Sequence, residues 1–249
     1  DGKYVSLIEG EDESKSDIFL IKRSDKVAIK ITPVNYIHPK LMKWKDENSL
    51  YFIDINNDTT TLFLYNIADN TMSKVLTLDK VIESFDIFND KLIFAEQDQD
   101  SINKNLYLLE KEDDFKLIGT GFRPILFNDK YITYLENIED KNKNVLKLYN
   151  IDEYKVTDTL DYNILNYYKL DDKSLLFVES LNLNNQFAFG KYSIDDRSSV
   201  IISQINSQKV FYNPDNQKAY ISLTIPKKEK NEYNIYSIDL TETYSSNKQ

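Results

Sequence analysis

Six apolar runs of similar shape begin about 40 to 46 residues apart along the chain, and this spacing limits the possible folds more than any other feature. They are KYVSLIEG from Lys3, SLYFIDI from Ser49, KLIFAEQ from Lys91, KYITYLE from Lys130, SLLFVES from Ser174 and KAYISLT from Lys218. A recurring unit of this length cannot bury its apolar surface alone, so neighbouring copies must cover one another.

About 12 to 15 residues after each run comes a second one: DIFLIKR, TLFLYNI, NLYLLEK, VLKLYNI, FAFGKYSI and YNIYSIDL. Short polar turns (RSDK, IADNT, KEDD, IDEY, DDRS, LTET) follow, and several lead into a third strand such as KVAIKI, SKVLTL, FKLIG or SVIIS. A further apolar segment (KLMKW, SFDIF, RPILF, LNYYKL, KVFYN) precedes most first runs and reaches them through an Asn/Asp turn, as in FNDKLIFAEQ. Calling these strands A to D, each unit reads as a four-stranded antiparallel meander, because tight turns join only antiparallel neighbours. Residues alternate with a period of two, and no 3.6-residue stripe persists over a helical length.

The pattern predicts an all-β chain forming one β-propeller domain over residues 1–249. Six blades are expected, at about 1–32, 33–79, 80–119, 120–161, 162–204 and 205–249. The first has no A strand before Lys3, and only TYSSNKQ is left for the D strand of the last. Five or seven blades, a solenoid or a sandwich stay open on the sequence alone.

Pro214, Asp215, Lys218, Ile235, Tyr236, Asp239 and Leu240 carry a resemblance to the repeat of TolB-type and dipeptidyl-peptidase-type propellers. In that family a Pro-Asp-Gly-Lys turn leads one strand, and a later strand reads aromatic-apolar-acidic-Leu. The other units keep only the turn, at Asp90 and Lys91, Asp129 and Lys130, and Asp172 and Lys173. The resemblance implies the architecture over the whole chain and no catalytic residues.

Charge and composition exclude other functions. Asp and Glu outnumber Lys and Arg by 41 to 31, giving a net charge of −10 that opposes nucleic-acid binding. There is no Cys, so disulfides, zinc–thiolate sites and Cys nucleophiles are excluded. One histidine, His38, and no Gly-x-Ser-x-Gly elbow argue against a Ser-His-Asp triad. Asp54, Asn56 and Asp58 have the spacing that opens a calcium loop, but Thr59 replaces the turn glycine and Tyr65 stands where the bidentate Glu belongs. The expectation is no metal, no cofactor and no catalytic residue. The start at Asp1 is expected to follow an upstream signal or anchor.

In a meander blade the B–C and D–A connections emerge on one rim, and the A–B and C–D turns on the other. The B–C segments (EGEDESKSD, DINNDTTT, EQDQDSINKN, ENIEDKNKN, SLNLNNQ, TIPKKEKNEY) read as long, variable loops, which makes this rim the expected working face. It is acidic in the first three blades, led by Glu9, Glu11, Asp12 and Glu13, and basic at Lys227, Lys228 and Lys230, a gradient able to orient a charged partner. Within the D–A connection GTGFRP, Arg123 offers a forked donor to a carboxylate or sulfate and Phe122 a stacking ring. Tyr162 occupies the equivalent connection of the next blade. Phe122, Arg123 and Tyr162 are the candidate ligand-binding residues. The expected function is that of a monomeric, extracytoplasmic, non-catalytic module binding a protein, peptide or glycan. The alternatives are a sensory or regulatory ectodomain, or a propeller enzyme or accessory domain acting on glycans or peptides.

Overall fold

A computed structural model describes residues 3–12, 15–31, 41–56, 58–97, 101–110, 114–181, 186–213, 216–225 and 232–241, with backbone only at 7–12, 15–17, 223–225 and 232–233. Strands dominate, and no α-helix occurs among the described residues. The chain divides into two compact units, Asp1–Tyr134 with Ile151–Lys155, and Leu135–Asn150 with Val156–Gln249.

The first unit opens with the sheet β1 (Tyr4–Asp12), β2 (Lys15–Lys22) and β3 (Ala28–Lys30), followed by β4 (Met42–Asp46), β5 (Ser49–Asn56), β6 (Thr59–Asn66) and β7 (Thr71–Leu78). Next come β8 (Ile82–Phe88), β9 (Lys91–Glu96), β10 (Lys104–Leu109) and β11 (Phe115–Leu126). These continue in strand order through β12 (Tyr131–Ile138), β13 (Lys143–Asn150) and β14 (Lys155–Leu160), and the unit boundary falls inside β12. The second unit adds β15 (Ile164–Lys169), β16 (Ser174–Ser180), β17 (Phe187–Ser193) and β18 (Ser198–Ile205), then β19 (Val210–Asn213), β20 (Lys218–Ile225) and β21 (Glu232–Asp239). The first and last described sheets each have three strands.

Strand B carries the core in β5, β9, β12 and β16, each with at least four consecutive buried residues. In β5, Leu50 and Phe52 join Ile18, Leu20, Ile31 and Tyr65 on one side, with Trp44 packed partly buried against them. Tyr51 and Ile53 point the other way and join Leu41, Leu62, Leu78, Ile82, Leu92, Phe94 and Leu109. Alternating side chains thus feed two successive inter-sheet cores, which is why strand B is a continuous apolar run. Burying each such side chain contributes about 1.5–3 kcal/mol. In the second unit Leu176, Val178, Phe189, Ile205, Val210, Ala219 and Ile221 form the equivalent layer.

The recurring Asn/Asp turn performs one backbone task. Asp46, Asn128, Asp171 and Asn216 each accept, through Oδ1, the N–H two residues on, at 2.8, 2.9, 2.8 and 3.1 Å. These side chains close the A–B reversals without glycine.

Two expectations need correction. The segments EGEDESKSD and DINNDTTT, read as long B–C loops, are mostly strand: β1 continues to Asp12 before β2 starts at Lys15, and β5 and β6 are joined by residues 57–58. Polar side chains on the projecting end of a hairpin leave its ladder intact, and the β-branched Thr59–Thr61 favour strand. GTGFRP is likewise no loop. The D strand of the third meander and the A strand of the fourth are one strand, β11. Gly119 (φ 151°) and Arg123 (φ 52°) absorb the bend, and the β10–β11 register shifts between Leu106 and Tyr107. A Cβ on Gly119 would lie 3.2 Å from the Tyr134 hydroxyl.

One buried charge ties together the opening strands of three successive meanders in the first unit. Asp86 on β8, 2% exposed, accepts the N–H of Ile87 and of Leu126, both at 2.9 Å, and forms an ion pair with Lys43 on β4.

Candidate functional site

Arg123 is distinguished by its backbone. Eight described non-glycine residues have positive φ: Lys26, Asn70, Asn89, Asn142, Tyr154, Arg197 and Gln217 lie in turns, whereas Arg123 lies inside a strand. Holding a bulky residue there costs on the order of 1 kcal/mol or more, and such outliers concentrate at functional positions. The Arg123 side chain is exposed, and Phe122 beside it is half-buried.

Elsewhere in the first unit, Lys80, between β7 and β8, lies 2.5 Å from Glu96 at the end of β9 and 4.6 Å above the ring of Tyr107. Asn105 Nδ2 reaches the same carboxylate at 3.5 Å. Glu96 holds the Lys80 ammonium above its ordinary value. Burial pushes the Glu96 carboxyl up, but Lys80, Asn105 and Tyr107 together outweigh this and leave it low.

Glu96 is the sixth residue of its strand, and so are Asp54 of β5, Glu136 of β12 and Glu179 of β16. The recurring acid was present in the sequence near the end of five of the six first runs, all but KAYISLT, and aligning the runs would have exposed it; reading those ends as loop chemistry hid it. In the second unit Glu136 pairs with Lys147 at 3.1 Å. Glu179 has no ion pair within 4 Å among the described residues, and burial pushes its carboxyl up despite the charge of Lys143.

Lys143 sits 2.7 Å from Asp161, whose carboxyl this hydrogen bond holds low. Three amides extend the network. Asn137 Nδ2 donates to Asn144 Oδ1 at 2.8 Å, the Asn144 N–H donates to Asn163 Oδ1 at 3.2 Å, and the Asn163 carbonyl accepts the Ser180 N–H at 2.9 Å.

Tyr162 adjoins this network through packing. Its ring stacks on Phe177 (centroids 5.8 Å, interplanar angle 16°), and its hydroxyl lies 3.1 Å from Ser199 Oγ, leaving the residue 37% exposed. Phe177 in turn lies over Gly190, its cross-strand partner. Phe122 and Arg123 belong to the first unit and Tyr162 to the second. The loop lysines Lys227, Lys228 and Lys230, together with Glu13 and His38, fall outside the described residues, as do the side chains of Glu9, Glu11 and Asp12.

No helix among the described residues is long and apolar enough to cross a membrane. Among the described residues, no group of three or more His, Cys, Asp or Glu has the geometry to hold a metal ion.

No family model and no curated protein matches the chain. Solved structures do. The β-propeller domain of the trilobed protease from Pyrococcus furiosus, described as having an open velcro topology, is similar over 97% of this chain and 78% of its own, at 13% identity and a TM-score of 0.65. An oligogalacturonate lyase in complex with manganese is similar over 88% of this chain and 67% of its own, at 13% identity and a TM-score of 0.65. TolB from Acinetobacter baumannii matches 95% of the chain at 12% identity and a TM-score of 0.51, and the chain spans 66% of that protein. With the successive antiparallel meanders and their shared cores, these similarities make the chain an all-β propeller of TolB-like architecture.

Proposed function

We propose that this propeller is a non-catalytic, extracytoplasmic binding module whose B–C/D–A rim recognises an acidic group on a protein, peptide or glycan. The observation that carries the reading is Arg123: an exposed guanidinium whose backbone is held in the left-handed region inside a strand, next to the half-buried ring of Phe122. A planar forked donor suits a carboxylate or sulfate.

The test is a binding screen against arrayed uronate and sulfated glycans and acidic peptides, followed by Arg123→Gly and Phe122→Ala. Arg123→Gly removes the guanidinium and the backbone strain together. Binding is expected to fall at least tenfold while stability stays level or rises by up to about 1 kcal/mol. Undiminished binding in both variants would refute the site.

A second reading draws on Glu179. Its partly buried carboxyl, pushed up, is the form a general acid takes, and one similar structure is a glycan lyase. Turnover of an oligosaccharide that disappears in Glu179→Gln would favour that reading over the first.

A further inference from the structure

Within the second unit, an open cavity of about 270 Å³ lies between the sheets β15–β18 and β19–β21, at the end where the A–B and C–D turns emerge. Asn163 and Glu179 stand toward the other ends of β15 and β16 and do not line it. Leu170, Leu176, Val200, Ile202 and Leu240 give it apolar walls, continuous with the inter-sheet core through Leu176. Its polar groups come from Asp171, Lys191, Tyr212, Gln217 and Thr241.

Two of these are placed unusually. Lys191 stands in a cross-strand row whose other members are Tyr168, Leu176 and Val200, so a cation interrupts an otherwise uncharged stripe facing the cavity. It is half-buried and makes no ion pair or hydrogen bond among the described residues. Asp171 spends Oδ1 on the N–H of Lys173, and its second oxygen takes no hydrogen bond or ion pair among the described residues. Asp171 lies close enough to act electrostatically on the Tyr212 hydroxyl, whose proton is held mainly by burial and secondarily by that charge. The cavity therefore holds one positive and one negative group that do not neutralise each other, above an apolar floor. Its volume is at the small end for ligand pockets and corresponds to about nine waters.

We propose that this cavity binds a free apolar α-amino acid of the leucine or isoleucine type. The carboxylate meets Lys191, the ammonium meets Asp171 with the Tyr212 hydroxyl beside it, and the branched side chain fills the space between Leu170, Leu176, Val200 and Ile202. Lys191 is half-buried whereas Asp171 is exposed, so a purely cationic ligand would leave the ammonium of Lys191 without a partner and a purely anionic one would make no use of Asp171; a zwitterion with an apolar body meets both ends and the floor. The inference does not rest on Arg123 or on the rim to which it belongs.

The test is titration calorimetry on the whole chain with L-leucine, L-leucinamide, which lacks the carboxylate, and 4-methylvalerate, which lacks the ammonium. L-leucine is expected to bind, and each truncated analogue at least tenfold more weakly. Lys191→Met keeps the aliphatic stem, and Asp171→Asn keeps the turn acceptor, so both variants should fold; each is expected to lower leucine affinity tenfold or more. Val200→Trp fills the cavity and should abolish binding, with circular dichroism confirming the fold. No heat with 10 mM leucine, equal binding of leucinamide, or unchanged affinity in both charge variants would overturn the proposal.

Discussion

Replacing Asp86 with alanine tests whether one buried carboxylate holds the opening strands of three meanders together. Its loss deprives Leu126, itself 2% exposed, of its N–H acceptor at 2.9 Å, and a buried donor left unpaired costs about 1–3 kcal/mol. The Ile87 N–H loses a second charge-assisted bond at the same distance. Removing one member of a fully buried ion pair costs about 3–5 kcal/mol, but the Lys43 side chain is 38% exposed and its ammonium can return to water. The expected total is therefore about 3 kcal/mol. Asp86→Asn, which keeps one acceptor oxygen and loses the charge, should cost about half as much. Urea unfolding at fixed pH measures both, with an unchanged slope showing that the compactness of the end states is preserved. An alanine variant within about 0.5 kcal/mol of the parent, or an asparagine variant as damaging as the alanine one, would refute the latch, since either removes the link between hydrogen-bond loss and stability.

Gly190→Ala would drive a Cβ into Phe177 Cζ, and the ring is already stacked on Tyr162; overpacking of this kind should cost about 1–3 kcal/mol. Thermal unfolding measures the loss, and adding Phe177→Leu should recover part of it; full additivity of the two changes would show that the contact is not the cause. Glu179 gives a pH dependence of opposite sign to a salt-bridged carboxylate. Burial raises its folded-state pKa, so the native protein binds the extra proton and loses stability as pH rises from the ordinary value of 4.5 through the raised one. Glu179→Gln should therefore be more stable than the parent at neutral pH and equal to it below that window, as followed by urea midpoints across pH; a loss of stability at pH 7 would contradict the desolvation argument.

The architecture was legible because its determinants are local and repeated. A fully buried strand B must be apolar on both faces, and SLYFIDI or SLLFVES can hardly be read otherwise. The Asn/Asp turns were legible for the same reason, since the side chain at Asn128 or Asp171 makes its bond two residues away. Strand ends were not, because side-chain polarity and backbone pairing are separate matters: Asp12 and Thr59 lie in ladders although their neighbours read as loop. The continuity of β11 was hidden by Gly119 and Gly121, which look like a turn, whereas the strand runs on with its unusual backbone angles at Gly119 and Arg123. Arg123 could be singled out by its rarity, but its backbone conformation could not, and the position of Asp86 depends on Lys43 and Leu126, each about 40 residues away.

The protein's single tryptophan, Trp44, lies against the core of Ile18, Leu20, Leu50 and Phe52 and belongs wholly to the first unit. Its emission is thus a label-free optical probe of that unit, while far-ultraviolet dichroism sums over the strands of both. The substitutions at Asp86 and Gly190 fall on opposite sides of this spectroscopic divide. Coincident fluorescence and dichroism midpoints in the Gly190 variant would mean that damage in one unit is transmitted to the other as a single cooperative transition. Separated midpoints would resolve two transitions, with the indole reporting the later one.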